Sequence, residues 1–112
     1  MSQTNVIVLR IARDRAREFE ALFEREQYPN WRKHKASGGF LSASLTRIEF
    51  GSEQDDAQRG RYVNYVVVAV VRDMAAHTAH DDDPAFKAYD EKAEAFQPEG
   101  PSVWGGTTLF EI

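Results

Sequence analysis

The run "YVNYVVVAVV", Tyr62–Val71, decides how the rest of the chain is read. It is rich in valine and tyrosine and free of glycine and proline, the strongest strand pattern in the sequence. Strand side chains alternate between two faces, so Val66, Val68 and Val70 share one side while Val67, Ala69 and Val71 share the other. Both sides are apolar, which places this strand in a sheet covered on both faces. Asn64, between Tyr62 and Val66, puts a polar amide into an otherwise apolar row. A buried amide must find partners in the sheet, across a subunit contact or on a ligand.

Before this strand, the polar run "GSEQDDAQRGR", Gly51–Arg61, has turn residues and no periodicity. It separates Tyr62–Val71 from "FLSASLTRIEF", Phe40–Phe50, whose alternation reads as another strand, so the two form a long hairpin. Gly38 and Gly39 break the chain ahead of that strand. Further back, "NVIVLRI", Asn5–Ile11, is a β-branched first strand. From about Asp14 to Glu26, Ala16, Phe19, Leu22 and Phe23 recur at helical spacing, with Asp14 as a cap. Pro29 ends or kinks this helix, and "NWRKHKA" restarts it, carrying Trp31 to the end of the helical layer.

After the central strand comes "MAAHTAHDDDPAFKAYDEKAEAF", Met74–Phe96. Asp83 at the N-cap and Pro84 at the first helical position start a second helix, and Asp81 to Asp83 are accounted for by capping, the helix dipole and solvation. The loop "PEGPS" leads to a last strand, "VWGGTTLFEI", where Gly105 and Gly106 predict a bulge or a close backbone approach. The order is strand, helix, strand, strand, helix, strand. It predicts a ferredoxin-like α+β fold, βαββαβ, with an antiparallel sheet and two helices on one face. The apolar opposite face needs cover, and a second subunit is expected to supply it, giving a homodimer.

The 112 residues fit one domain spanning 1–112, with no repeat or linker to divide it. A chain 42% hydrophobic and 29% charged is globular rather than disordered. Its net charge of -4, with acids and bases interleaved along "RDRAREFEALFERE", argues against nucleic acid as a partner. Lack of cysteine excludes thiol chemistry and thiolate metal sites and is compatible with the cytoplasm, where the protein is expected. The apolar run Val66–Val71 is far short of a membrane span, so no membrane partner is expected.

Two stretches, "VVRDMAAHTAHDDDPAFKAY" (Val70–Tyr89) and "GGFLSASL" (Gly38–Leu45), carry a resemblance. Through them the chain resembles the antibiotic-biosynthesis monooxygenase-like members of the dimeric α+β barrel superfamily. His80, Phe86 and the small Ala76 match the family's pattern of a short histidine-bearing helix followed by Pro-x-Phe. Many relatives carry glutamate and tryptophan where this chain has Ala69 and Val71, and haem-degrading members carry tryptophan and histidine at the positions of His80 and Asp90, so haem degradation is not expected. The resemblance implies a small-molecule-binding dimer that acts, without cofactor, as a monooxygenase on a quinol-like or polyphenolic substrate. The alternatives are a non-catalytic binding or stress-related dimer and an isomerase of a small carbonyl compound.

His80 is the first candidate catalytic residue, because an imidazole beside a pocket moves protons in either direction near neutral pH. Asn64 is the second, as the nearest counterpart of the asparagines that relatives place around their substrates. His77, Trp31, Tyr65, Tyr89 and Phe86 are candidate contacts for a small apolar or aromatic ligand, although large rings are as often core. His77 and His80 alone, three residues apart and without a third ligand in sight, do not make a metal site, and no metal is expected.

Overall fold

The computed structural model describes residues 1–51 and 60–112; residues 52–59, most of the polar run read as the end of a long hairpin, lie outside the described residues. Four strands form one antiparallel sheet: β1 (Gln3–Ala12), β2 (Phe40–Arg47), β3 (Tyr62–Val71) and β4 (Ser102–Thr107). Their order across the sheet, β2-β3-β1-β4, is that of a ferredoxin-like fold. β1 and β3 pair along their whole lengths, setting Ile7 against Val67, Leu9 against Tyr65 and Val6 against Val68. Odd-numbered residues of both strands therefore face the helices, and even-numbered ones face away. From Tyr65 onward the odd positions of β3 are buried, whereas Val66, Val68 and Val70 remain half-buried on the outer face.

The first helical layer runs through Pro29 without a break. It is built from α1 (Ala16–Leu22), a widened π turn (Phe23–Gln27) and α2 (Tyr28–Ala36). A proline cannot donate to the carbonyl four residues back, and its ring crowds that carbonyl. The wide turn, in which the N–H of Tyr28 bonds the Phe23 carbonyl five residues earlier, takes up the misfit. Phe19, fully buried, packs its ring 5.0 Å from that of Tyr65, and the Tyr65 hydroxyl donates to Glu20 at 2.5 Å. Arg47 grips the same carboxylate, joining α1 to β2 and β3. Burial and the Glu20 carboxylate together push the Tyr65 phenol up to about 12.

α2 ends in a left-handed glycine. Gly38 has φ +85, its N–H bonds the Lys35 carbonyl at 3.0 Å, and the N–H of Gly39 bonds that of His34 at 3.1 Å, the paired contacts of a Schellman cap. Gly39 in turn accepts from the N–H of Arg72 at the end of β3, and a Cβ on it would stand 3.3 Å from that of Ala76. This explains the small residues at both positions. α3 (Met74–Asp81), capped by Asp73, sits against this turn, and α4 (Pro84–Glu94) starts at Asp83, whose side chain accepts from the N–H of Ala85 at 2.9 Å.

Asp14 does not cap the first helix: it lies within the turn Arg13–Arg15, and the N-cap Arg15 makes no side-chain capping bond. The strands also differ from the sequence reading. β4 pairs with β1 in unbroken register, so the glycine pair makes no bulge; the irregularity lies instead in β2, between Phe40 and Ser42. β4 also stops at Thr107, leaving Leu109, Phe110 and Ile112 exposed beyond it. Gly38→Ala is expected to lower stability by about 1 kcal/mol through backbone strain alone, since a Cβ there meets nothing closer than 3.7 Å. Urea unfolding of the two proteins measures it.

Candidate functional site

A cavity of about 320 Å³ opens between the inner face of the sheet and the helices, a size common among small-molecule sites. Ile7, Leu9, Val67, Ala69 and Val71 form its floor, and Phe23, Trp31, Phe40, Phe86 and Tyr89 wall it. One end of the helical layer is filled by Phe19, Tyr65 and Phe96, whereas the small Ala69 and Ala93 leave room at the other. Its polar lining consists of Asn5, Gln27, His77, His80, Asp81, Asp90 and Gln97, with no lysine or arginine.

Most of these groups belong to one hydrogen-bonded chain. Asn30 Nδ2 faces Gln27 Oε1 at 3.4 Å, which turns the Gln27 amide nitrogen toward His80 Nε2 at 3.1 Å. An amide nitrogen only donates, so Nε2 accepts and the ring proton sits on Nδ1, donated to Asp81 Oδ1 at 3.1 Å. The other oxygen of Asp81 lies 2.9 Å from His77 Nε2, and His77 Nδ1 lies 2.6 Å from Gln3 Oε1. Asn5 Nδ2 donates to that same Gln3 oxygen at 3.0 Å. A Cβ at Gly105 would fall 2.8 Å from Asn5 Oδ1, so this glycine provides the close backbone approach anticipated for the pair. The Asp81 carboxylate thus bridges the two histidines, a role beyond the capping and solvation expected of it.

Burial holds the His80 imidazole below its ordinary proton affinity, with Asp81 opposing the shift. The ring is packed by Phe86 at 4.4 Å and Phe40 at 5.0 Å between centroids, and by His34 at 5.3 Å. His34 is held by Asp83 at 3.0 Å. Asp83 also takes a hydrogen bond from Lys33, and these contacts with the N–H of Ala85 bring its carboxyl down to about 2. Asp90 moves the opposite way: burial, then repulsion from Glu94 and Asp81, raises its proton affinity.

Of the residues singled out from the sequence, His77, His80, Trp31, Phe86 and Tyr89 all line this cavity. Asn64 does not: it is paired with Arg10 on the outer face of the sheet, where its side chain is buried and its Oδ1 has no partner among the described residues. The parity of the strand decides this, because Asn64 shares its row with Val66 and the cavity takes the Val67 row. Tyr65 faces the helices but lies beside Glu20 and Arg47, lining a separate open concavity rather than this one. Gln27, Asn5, Asp81 and Asp90 were not anticipated as cavity groups. Their signal was a polar residue inside an apolar stripe: Gln27 follows Phe19 and Phe23 at four-residue steps, Asn5 precedes Ile7 and Leu9 at two, and Asp90 follows Phe86 at four. Among the described residues, no group of three or more histidines and acids is placed to hold a metal ion, and no helix is long and apolar enough to cross a membrane.

The neutral His80 gives stability a pH dependence. Its folded-state affinity lies below the ordinary value of 6.5, so as pH falls below 6.5 the unfolded chain takes up the proton first and the folded state loses ground. Urea unfolding at pH 7.5 and 5.5 is expected to show a loss of stability toward the lower pH that is smaller in His80→Gln; equal losses in both proteins would contradict it.

No protein-family model matches the chain, and no curated protein matches it in sequence. Solved structures do. The Rv0793 protein of Mycobacterium tuberculosis is 16% identical with a TM-score of 0.76, over 99% of this chain and 98% of that one. A protein of Caulobacter crescentus, named as a candidate antibiotic biosynthesis monooxygenase, is 23% identical with a TM-score of 0.74, over 97% and 91%. SnoaB of Streptomyces nogalater, a cofactor-independent oxygenase, is 18% identical with a TM-score of 0.67, over 100% and 98%. At these identities the likeness is one of architecture, and the chain has the ferredoxin-like α+β fold of the antibiotic biosynthesis monooxygenase-like proteins.

Proposed function

We propose that this protein is a homodimeric, cofactor-independent monooxygenase of a phenolic or quinol-like aromatic compound. The observation that carries the reading is the apolar cavity, walled by aromatic rings and bordered by the His77–Asp81–His80 bridge. The name of SnoaB, a structure of the same fold, supports the reaction class. In such a reaction a hydroquinone gives two electrons and two protons, one atom of dioxygen enters the ring, the other leaves as water, and the product is a hydroxyquinone. His80 is the proton shuttle in this proposal, once the ligand displaces the Gln27 amide from Nε2. A second reading, binding without turnover, is favoured by the fact that both nitrogens of each cavity histidine already have protein partners.

Dimer formation is supported by the outer sheet face. Val6, Val8, Val66, Val68 and Val70 form a half-buried apolar patch, Trp104 stands exposed in the neighbouring strand, and the buried Asn64 Oδ1 lacks a partner among the described residues. A second copy would cover the patch and offer that oxygen a donor. Light scattering is expected to give twice the mass of the chain for the wild type, and the chain mass for Val68→Lys, whose charge cannot be left in an apolar interface. Oxygen uptake with a panel of hydroquinones is expected at one dioxygen per substrate, with no oxygen returned on adding catalase. His80→Ala is expected to slow it by ~10²-fold or more. Absence of uptake with ligands that bind would leave the second reading.

A further inference from the structure

The polar groups of the cavity fall into two sets. His77, His80, Gln27, Asn5 and Asp81 are tied to one another or to neighbouring side chains. Asp90 has no hydrogen bond or ion pair among the described residues, although it lines the same cavity. Gln97 Oε1 is likewise buried without a partner in that lining. Asp90, Ala93 and Gln97 are spaced three and four residues apart along α4 and the turn after it, so the two acceptors flank the small Ala93 on one stripe. Neither accepts a hydrogen bond from another described residue, so each is open to a donor brought in by a ligand.

We infer that Asp90 is the specificity-determining acceptor of this site, taking the hydroxyl hydrogen of a neutral aromatic ligand and excluding ligands that carry a carboxylate. The inference rests on the aromatic-ligand reading above but not on turnover. A carboxylate half removed from water is under-solvated, which agrees with its raised proton affinity, and a phenolic O–H replaces the missing water at little expense to either group. A ligand carboxylate would meet Asp90 and Asp81 with no lysine or arginine in the lining to balance it. Tyr89 and Phe86, on the same helix, present rings on which the ligand's own ring can pack.

Calorimetric titration with three probes of one ring size separates these terms: 1-naphthol, naphthalene and 1-naphthoate. In the wild type, 1-naphthol is expected to bind ~10-fold or more tightly than naphthalene, despite being the less apolar of the two, because a hydrogen bond to a charged acceptor is worth at least that factor. 1-Naphthoate is expected to bind more weakly than 1-naphthol by a similar factor. Asp90→Leu should bring the naphthol and naphthalene affinities together and admit the naphthoate more readily. Asp90→Asn, which keeps an acceptor oxygen but not the charge, should fall between, and thermal melting of both variants reports whether the fold is kept. Equal binding of naphthol and naphthalene by the wild type, or a preference that survives Asp90→Leu, would overturn the inference while leaving the aromatic site standing. Failure of all three probes to bind would overturn both.

Discussion

The pairing of β3 with β1 is the constraint on which the other elements depend. Because the two strands run antiparallel in register from Gln3 opposite Val71 to Ala12 opposite Tyr62, their inner rows coincide and give one continuous apolar floor. That floor holds Ile7, Leu9, Tyr65, Val67 and Ala69, and a slip of one residue would turn one strand's share of it outward. The helices are positioned by what this floor offers. Where it carries Tyr65, Phe19 closes against it and the layer is solid; where it carries Ala69, no large side chain comes down to fill the space. The cavity is therefore a consequence of side-chain size along a regular strand rather than of any break in the sheet.

The widened turn before Pro29 has a comparable reach. An α-helix interrupted by proline loses a hydrogen bond and gains a clash, and adding a residue to the preceding turn relieves both. Gln27, within the widened turn, and Asn30 after it continue the stripe begun by Phe19 and Phe23 and lie buried, with Gln27 against His80. The Gln27 amide accepts from Asn30 and donates to His80 Nε2, and with Asp81 taking the Nδ1 proton this fixes the tautomer of the histidine. The turn that admits the proline also carries the amide that meets the cavity imidazole.

The two-sided apolar pattern of Tyr62–Val71, the glycine pair at 38 and 39 and the Asp83-Pro84 start were sufficient for the topology, because each reflects a backbone or burial requirement that is local in sequence. The faces of Asn64 and Tyr65 needed more. Asn64 could be grouped with Val66 from parity alone, but which row met the helices depended on packing between distant elements. Tyr65 was on the correct side and yet outside the cavity, since Glu20 and Arg47, neither adjacent to it in sequence, draw its hydroxyl away. Asp81 was hidden by its neighbours: three consecutive aspartates before a proline read as a cap, and only Asp83 is one.

The division between tied and untied polar groups separates two jobs that a sequence motif would merge. A chain of hydrogen bonds running from Asn5 through Gln3, His77, Asp81 and His80 to Gln27 stiffens the rim, because its buried members Asn5, His80 and Gln27 would lose partners if it came apart. Stiffness of that kind suits a wall. Recognition of a ligand hydroxyl requires the reverse condition, an acceptor that folding has left unsatisfied and that an incoming donor can complete without breaking a bond already made. His80 meets the first condition and Asp90 the second, so a ligand seated on the rings of Phe86 and Tyr89 would find its orientation set by Asp90 before it competes with Gln27 for the histidine.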